Sequence, residues 1–563
     1  MTSIILTGFM GTGKTTVGRE VARRLGLPFV DTDEEVERAT GRTVQQLFEE
    51  QGEAGFRALE RSILRDALAR HGTIVATGGG ALLAGETRSL LGPRHHVICL
   101  TADFATIVQR LNGGSGRPLA RSTADLRELL RVRDPVYSRF TQIDTTGRAI
   151  EDVASEIVSG FEPATTLKLS VDDRRRSDIV IGVGAADRLS ALLGERGLTG
   201  QVILVTDTNV AGSGIAARIE GALRASGWNV TLTEIPAGEK YKTLETLNRL
   251  YGVALEQWAE RGDIVVGIGG GVIGDIAGML AATYLRGMRL VLVPTSLLAQ
   301  VDAAIGGKVG VDIQRVKNMV GAFYPADLIV VDPTFLATLP QAEIRNGIAE
   351  IVKIAAMRSE ELFVQLEEVA ASRGEAQRQA DRDVAEPSVA TQSSPTLPRR
   401  GEGAGGEGTH MPPSPISTSI IRQAVQLKVE VVQEDPREKG IRAHLNYGHT
   451  IGHGVEAASD YGIAHGEAVS IGMIAESRLA EHAGWASSEA ADRIGTLLAR
   501  LGLPASASAL DPADIREAIG HDKKRAAGQI RIAMPEQIGR GTVRAITPAQ
   551  LDQCIDIALG GGL

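Results

Sequence analysis

Short apolar runs at Ile4–Thr7, Thr73–Thr77 and Val97–Thr101 alternate with stretches of helical period at Thr15–Leu25, Gly52–Arg70 and Ala124–Arg139. Apolar runs of this length, separated by helical spacing, predict a compact α/β unit with a parallel sheet over residues 1–162. The stretch Asp172–Asp178 is mostly charged and sets a linker at 163–178. A new apolar alternation opens at Ile179. Strands at Val202–Thr206, Ile264–Ile268 and Leu290–Val293, each followed by a helical or glycine-rich segment, predict a second α/β unit over 179–338. Strand signals thin out from 339, so 339–563 reads as mainly α-helical.

One segment breaks the pattern. Residues 372–417 are dense in Gly, Pro, Ser and charge and almost empty of large apolar residues. Such a segment cannot bury enough surface to offset its ordering entropy, so it reads as a disordered insertion within the helical region. Elsewhere composition fits globular domains: 563 residues, 43% hydrophobic and 23% charged, enough for roughly three to four units. The net charge of −9, without a long Lys/Arg run, lacks the footprint of a nucleic-acid or anionic-membrane binder and favours small-molecule partners. Two cysteines, Cys99 and Cys554, give no disulfide framework and fit a cytoplasmic protein. No cationic leader precedes the first apolar run, and the long apolar window 264–285 is interrupted by Asp275, so no membrane segment is expected.

The first candidate chemistry lies at Gly8-Phe-Met-Gly11-Thr12-Gly13-Lys14-Thr15-Thr16, between a β-run and a helix. This context makes the G-x-x-x-x-G-K-T pattern a P-loop: backbone N–H groups and the helix N-terminus cradle phosphates, Lys14 reaches the terminal ones, and Thr15 can ligate Mg²⁺. The acceptor is narrowed by Asp31 and Asp33 at the end of the next apolar run, by Arg57 and Glu60 three apart on a helix, and by Thr77-Gly78-Gly79-Gly80 closing a strand. Each alone is bland, since a helical Arg–Glu pair is usually a surface ion pair. Together they offer a carboxylate for a hydroxyl, a guanidinium for an acid and bare backbone for close approach.

This ordered set resembles shikimate kinase over residues 1 to about 160. The resemblance implies that Asp33 orients the acceptor hydroxyl, that Arg57 and Arg133 hold the shikimate carboxylate, and that Gly78, Gly79 and Gly80 line the ring. Asp31 would stand behind Mg²⁺. Asn112-Gly-Gly-Ser-Gly-Arg117-Pro118 looks like the family's lid, with Arg117 stabilising the transferring phosphoryl group. Gluconate and adenylate kinases, the nearest rivals, do not combine Arg57 with Gly78–Gly80. A departure is the segment Pro135-Val-Tyr-Ser-Arg-Phe, where the family more often carries an acidic residue after the Tyr.

The second candidate site begins at Ile264-Val-Val-Gly-Ile-Gly269-Gly270-Gly271-Val-Ile-Gly274-Asp275, a strand entering a G-x-G-x-x-G turn and a small-residue helix. This fits a Rossmann-like pyrophosphate turn or, equally, a tight strand–helix turn with no ligand, since the acidic residue expected some twenty positions on is missing. Asp207, ending an earlier strand, could contact a ribose hydroxyl instead. Downstream, His449 and His453 stand four apart on one helix and His465 follows. Spacing alone selects His449 and His453 as the ligand pair of a divalent ion such as Zn²⁺, with Glu350 as candidate carboxylate and His465 as a capping or core residue.

Gly269–Asp275, Pro294-Thr295-Ser296-Leu-Leu-Ala-Gln-Val-Asp302, Gly306-Gly-Lys308, Lys317-Asn318, Arg345-Asn-Gly, Leu445-Asn446-Tyr-Gly-His449-Thr and His465-Gly-Glu together resemble 3-dehydroquinate synthase across residues 180–563. The resemblance implies a different ligand set, Glu350, His449 and His465 around Zn²⁺ or Co²⁺, with His453 beside the substrate. It implies a grip on phosphate and carboxylate by Lys308, Lys353, Lys428, Arg442, Asn446 and one of Lys523 or Lys524, plus Arg286 from a neighbouring subunit of a homodimer. NAD⁺ would touch Asp207, Glu239, Lys242, Gly270, Gly271, Asp275, Thr295, Ser296, Lys308 and Lys317. Asp302 and Asn318 complete the pocket. The implied chemistry is an internal redox cycle on a heptulosonate phosphate: oxidation, phosphate elimination, return of the hydride and aldol closure to a carbocycle.

These resemblances imply a P-loop shikimate kinase domain using ATP and Mg²⁺, followed by a Rossmann-like NAD-binding domain and a mainly helical metal-binding domain. The expected protein is a bifunctional enzyme of aromatic-precursor biosynthesis with independent sites. Two alternatives stand beside it. One joins the kinase to a metal-dependent alcohol or glycerol dehydrogenase, which would release NADH and need fewer cations for phosphate. The other makes one half a scaffold, against which the intact Lys14, Thr15, Asp33, Arg57, Glu350, His449 and His465 argue.

Overall fold

Six consecutive fully buried residues, Ser3–Gly8, form the central strand β1 of a five-stranded sheet. The other strands are β2 (Phe29–Asp31), β3 (Ile74–Ala76), β4 (His95–Thr101) and β5 (Thr141–Asp144), in the order β2-β3-β1-β4-β5, all parallel. Helix α1 (Lys14–Leu25) follows the glycine loop directly, α2 (Thr32–Thr40) follows β2, α3 spans Val44–Ala69 and α4 spans Thr123–Tyr137. Gly52, with φ 68°, kinks α3 where the sequence places a helix start. This is a computed structural model, and it describes residues 3–25, 27–70, 72–92, 95–112, 123–159, 164–170, 176–313, 316–371, 416–438, 440–523 and 530–561. The chain divides near residue 162 into two compact units.

The second unit is built on a seven-stranded sheet in the order β6-β7-β14-β11-β10-β8-β9. Its strands are β6 (Thr165–Ser170), β7 (Arg176–Ile181), β8 (Val202–Asp207), β9 (Val230–Ile235), β10 (Ile264–Gly269), β11 (Arg289–Pro294) and β14 (Leu328–Val331). All are parallel except β6, which runs antiparallel to β7 at the edge. The expected linker at 163–178 is therefore corrected: much of it is β6 and the start of β7. Leu167 and Leu169 alternate with Thr166, Lys168 and Ser170, and only Leu169 is fully buried, a one-sided edge pattern hidden beside the charged run. An antiparallel hairpin of β12 (Lys308–Ile313) and β13 (Val316–Phe323) was also not anticipated, because polar residues interrupt its alternation.

Beyond 339 the described residues are mainly helical: α6 (Gln341–Arg358), α7 (Thr418–Glu434), α8 (His449–Ala458), α9 (His465–His482), α10 (Ser488–Arg500) and α11 (Pro512–Lys523). The expectation needs one amendment, an antiparallel ribbon of β15 (Ile530–Gln537) and β16 (Arg540–Ile546), whose Ile532 and Met534 enter the core. Of the 372–417 insertion, 372–415 lie outside the described residues. Its last two belong to the fold, where Ile416 is buried and the Ser417 side chain caps α7.

Helices α8 and α9 approach so closely that a Cβ added at Gly472 would lie 1.9 Å from the Gly448 carbonyl oxygen. Gly472→Ala should lower the stability of the second unit by about 1–3 kcal/mol, the range for overpacking. Gly495→Ala in α10, where nothing lies within 4 Å of the new methyl, should raise it by about 0.5–1 kcal/mol. All three tryptophans, Trp228, Trp258 and Trp485, lie in this unit, so denaturant unfolding followed by their fluorescence checks both changes.

Candidate active sites

In the first unit β1 delivers the chain into a loop where Gly8, Gly11 and Gly13 all take positive φ. The Lys14 ammonium donates to the carbonyls of Gly8 (3.0 Å) and Phe9 (2.9 Å), and Thr12 donates to Phe9 (2.8 Å), which close the loop on itself. Thr15 Oγ1 donates to Asp31 Oδ2 at 2.7 Å, while Asp31 Oδ1 accepts the Asp33 N–H and so caps α2. One carboxylate thereby links the P-loop hydroxyl to the helix bearing Asp33. Thr16 is exposed.

Across from the loop, Gly78–Gly80 are hemmed in by charge. A Cβ at Gly78 would lie 2.3 Å from Glu60 and 2.7 Å from Asp33, one at Gly79 3.4 Å from Arg133, and one at Gly80 2.2 Å from Arg57. The three glycines make room for four charged side chains: Asp33, Arg57 and Glu60, which the sequence groups, and Arg133, which the resemblance adds. Arg57 pairs with Glu60 at 2.7 Å, and burial raises the Glu60 carboxyl above its ordinary range despite that guanidinium. Arg133 is 4% exposed, stacks over Phe9 at 5.7 Å, and its Nε has no hydrogen-bond partner. The Tyr137 hydroxyl donates to the Gly79 carbonyl. Arg117 lies outside the described residues.

In the second unit the glycine turn joins β10 to a helix over Gly271–Thr283. Asp275, one turn in, pairs with Lys242 at 2.7 Å, and burial pushes its carboxyl up to about 6 against that pull. Lys242 also faces Glu239 (3.6 Å) and donates to Asn318, so four expected pocket residues form one network. Thr295 N–H donates to the Gly269 carbonyl, and Ser296 flanks Gly270. Asp207 ends β8, which pairs with β10, and its carboxylate caps Asn209 and Val210. Lys308 and Lys317 are held elsewhere, paired with Glu438 at 2.6 Å and Glu456 at 2.7 Å.

Three helices converge on Glu350. It lies in the buried middle of α6, and His449 and His465 are the first residues of α8 and α9. Glu350 Oε1 stands 3.7 Å from His449 Nε2 and 3.6 Å from His465 Nε2, and one ligand atom from each of the three lies within 4.8 Å of the others. His449 Nδ1 meets the Tyr447 carbonyl and His465 Nδ1 meets Glu456, both at 3.2 Å. With a proton on each Nδ1, the Nε2 atoms of both rings are the ones placed to ligate a cation beside Glu350. Neither oxygen of Glu350 has a hydrogen bond, although Lys353 forms an ion pair with it. Two imidazole nitrogens and an unsatisfied buried carboxylate fit a divalent ion of the Zn²⁺ or Co²⁺ type. Burial opposes charge on all three groups. For Glu350 it is outweighed by Lys353 and both imidazoles, which hold the carboxyl low; His465 is carried up to about 9 by Glu350 and Glu456; His449 is driven well down by burial and Lys353.

The ligand pair chosen from spacing alone is thus corrected. His453 lies one turn along α8 on an exposed position, its ring 5.2 Å from that of His449 and 6.0 Å from that of His465. Its only metal-ligand grouping among the described residues is with Glu456 and His465. Beside Glu350, Lys428 pairs with Asp302 and donates to its carbonyl at 2.7 Å, and Asp302, Lys353 and Lys428 are close enough to shift one another's titration. Arg442 donates to Pro436 (2.9 Å) and Gly306 (3.3 Å), and Asn446 is exposed. The Lys523 side chain and Lys524 lie outside the described residues.

The chain matches the family model for shikimate kinase over 10–162 and those for the N-terminal and C-terminal parts of 3-dehydroquinate synthase over 232–346 and 407–525. A 3-dehydroquinate synthase of Thermosynechococcus vestitus is 42% identical over 335 residues, 59% of this chain and 82% of that protein. The chain belongs to the 3-dehydroquinate synthase family. One of Synechococcus sp. is 40% identical over 353 residues, covering 62% and 87%. With its shikimate kinase domain ahead, the chain is a shikimate kinase/3-dehydroquinate synthase fusion with kinase and lyase activities. The 2-epi-5-epi-valiolone synthase ValA of Streptomyces hygroscopicus, solved with NAD⁺ and Zn²⁺ bound, is 28% identical with a TM-score of 0.57, over 70% of this chain and 98% of that one.

Sequence reasoning on the synthase half missed Glu456, Glu476 and Glu438, acidic residues on helices or loops with no local mark of their partners. In the kinase half the Arg57–Glu60 pair yields a direct test. Arg57→Ala leaves the Glu60 carboxylate buried and uncompensated and should destabilise the kinase unit by about 3 kcal/mol, the low end for breaking a buried pair. Glu60→Gln should cost less. Thermal or denaturant unfolding of the two variants, read on the kinase unit's own transition, checks the asymmetry.

Proposed function

We propose that the first unit phosphorylates shikimate with ATP and Mg²⁺ to give shikimate 3-phosphate. We further propose that the second converts 3-deoxy-D-arabino-heptulosonate 7-phosphate to 3-dehydroquinate with release of phosphate, using NAD⁺ and Zn²⁺ or Co²⁺. The observation carrying the second half is the convergence of Glu350, His449 and His465 beside the cations Lys353 and Lys428. A dianionic phosphate and a carboxylate call for several buried cations, which an alcohol dehydrogenase would not need. The ValA structure with NAD⁺ and Zn²⁺ bound supports the cofactors, and the related 3-dehydroquinate synthases support the reaction.

In the kinase unit, Gly8, Gly11, Thr12, Gly13 and Thr16 belong to the phosphate cradle, with Lys14 facing the terminal phosphates and Thr15, backed by Asp31, facing Mg²⁺. Asp33 accepts the proton of the shikimate hydroxyl, Arg57 and Arg133 hold the acid, and Arg117 covers the phosphoryl group. In the synthase unit, bound NAD⁺ supplies a hydride acceptor that gives its hydride back within one turnover, while the divalent ion polarises substrate oxygen. Asp207, Glu239, Lys242, Gly270, Gly271, Asp275, Thr295 and Ser296 hold the dinucleotide, with Lys317 reaching it from the hairpin. Lys308, Lys353, Lys428, Arg442, Asn446 and Lys523 or Lys524 neutralise the substrate's anions, Asp302 and Asn318 orient its hydroxyls, and His453 moves protons at a ring nitrogen. Arg286, which follows the far end of the Gly271–Thr283 helix, serves the site of a second copy in a homodimer, as the family resemblance implies. Among the described residues no helix is long and apolar enough to cross a membrane. Both cysteines are free and buried, as fits the cytoplasmic setting we propose.

The two chemistries occupy separate units and should fail separately. Lys14→Ala should abolish ADP formation with shikimate and spare phosphate release from the heptulosonate phosphate, and His449→Ala should do the reverse. Loss of both in either folded variant, or net NADH accumulation, would contradict the assignment. A pH limb follows from Lys428, whose ammonium burial pushes down to about 8 against the pull of Asp302. The group is cationic below that pH and neutral above it, so kcat/KM for phosphate release should fall as pH rises through about 8. A profile flat well above that pH would contradict a depressed lysine in the anion grip.

A further inference from the structure

We propose that Asn346 and Glu476 are positioning residues that set the spacing of the metal ligands by capping, from neighbouring helices, the two helices that begin with His449 and His465. The inference rests on the reading of Glu350, His449 and His465 as one metal centre. A ligand at the first position of a helix moves with that helix's N-terminus, where N–H groups need acceptors from outside the helix. Neither preceding residue, Gly448 or Ala464, makes a side-chain cap bond; the local contact at α9 is the Glu467 carboxylate accepting the Ala464 N–H at 3.4 Å, which leaves the Gly466 N–H to an acceptor from outside the helix.

Both acceptors come from other elements. Glu476 Oε2 accepts the Gly448 N–H at 2.7 Å and its Oε1 accepts that of Ile451 at 3.4 Å, at the start of α8. Glu476 lies on α9, eleven residues after His465, and is fully buried. Asn346 Oδ1 accepts the Gly466 N–H at 3.1 Å at the start of α9. Asn346 lies on α6, one turn before Glu350, and is 8% exposed. The two bonds form a chain in which the Glu350 helix fixes the His465 helix and the His465 helix fixes the His449 helix. Each acceptor is within about one to three turns of a ligand on its own helix, so small shifts at either cap are passed to an imidazole.

Glu476 shows why this is more than helix stabilisation. Burying a carboxylate is costly, and only the backbone N–H groups of Gly448, Thr450 and Ile451 act against that cost. The Tyr447 hydroxyl bonds Ser477 on the same stretch of α9, so the residues flanking Gly448 are tied to α9 from two sides. Outer groups that hold metal ligands typically change metal affinity 10–100-fold when removed.

The test uses the full chain carrying Glu476→Ala or Asn346→Ala, with Leu551→Ala as a packing control. Leu551, on the helix Pro548–Ala558, is buried in the same apolar cluster as α8 and α9, and its side chain can make no hydrogen bond to either helix start. Zn²⁺ affinity is measured by chelator competition, ligand geometry by the visible spectrum of the Co²⁺-loaded protein, and stability by thermal unfolding. The expected result is at least a tenfold loss of Zn²⁺ affinity and an altered Co²⁺ spectrum in both cap variants, with both readouts unchanged in the control despite a comparable loss of stability. Wild-type Zn²⁺ affinity and Co²⁺ spectrum in the cap variants would overturn the proposal. If Glu476→Ala does not fold, Asn346→Ala decides it alone. His449→Ala separates the two levels: Zn²⁺ bound as tightly as in wild type would overturn the metal centre itself, and the clamp with it.

Discussion

A carboxylate at the centre of a buried helix organises the second unit. Glu350 has almost no access to water and neither of its oxygens has a hydrogen bond, so its charge is tolerated only because Lys353 lies beside it and two imidazole nitrogens face it. Breaking such an arrangement costs more than never building it. The requirement fits the stretch Gly347–Met357 of α6, which is apolar except at Glu350 and Lys353, and the way α8 and α9 present their first residues to the same point. A cation site and an anion site are thereby juxtaposed, since Lys353 is shared between Glu350 and the Asp302–Lys428 pair.

The first unit meets the same problem with a different device. Four charged side chains are brought onto one stretch of backbone by the absence of side chains at Gly78, Gly79 and Gly80. The sheet order β2-β3-β1-β4-β5 sets β3, which ends at these glycines, next to β1, which ends at the phosphate loop. Parallel strands emerge at one edge, so acceptor pocket and nucleotide cradle open side by side. Asp31 joins them physically, bonding Thr15 with one oxygen and capping the Asp33 helix with the other.

Local features were legible in the sequence and long-range ones were not. Buried parallel strands leave continuous apolar runs, and the P-loop and the glycine turn are encoded within a dozen residues each, so their elements stand where the pattern puts them. Edge strand β6 and hairpin β12–β13 bury one face at most, and their weak alternation was lost beside charged or polar residues. Where Glu350, His449 and His465 converge, helical spacing picks His453 because it measures only proximity along one helix. His465 reaches Glu350 through the packing of α9 on α6, which no local pattern encodes. Glu456 and Glu476 look like ordinary helical acids until the fold shows one meeting His465 and the other capping α8.

The most direct measurement on the central claim is X-ray absorption at the zinc edge of the Zn²⁺-loaded full chain. Scattering from two imidazoles together with a light-atom shell near 2.0–2.2 Å is the result expected for Glu350, His449 and His465 around one ion. Scattering from three imidazoles, which would draw in His453, or from one alone, would contradict it.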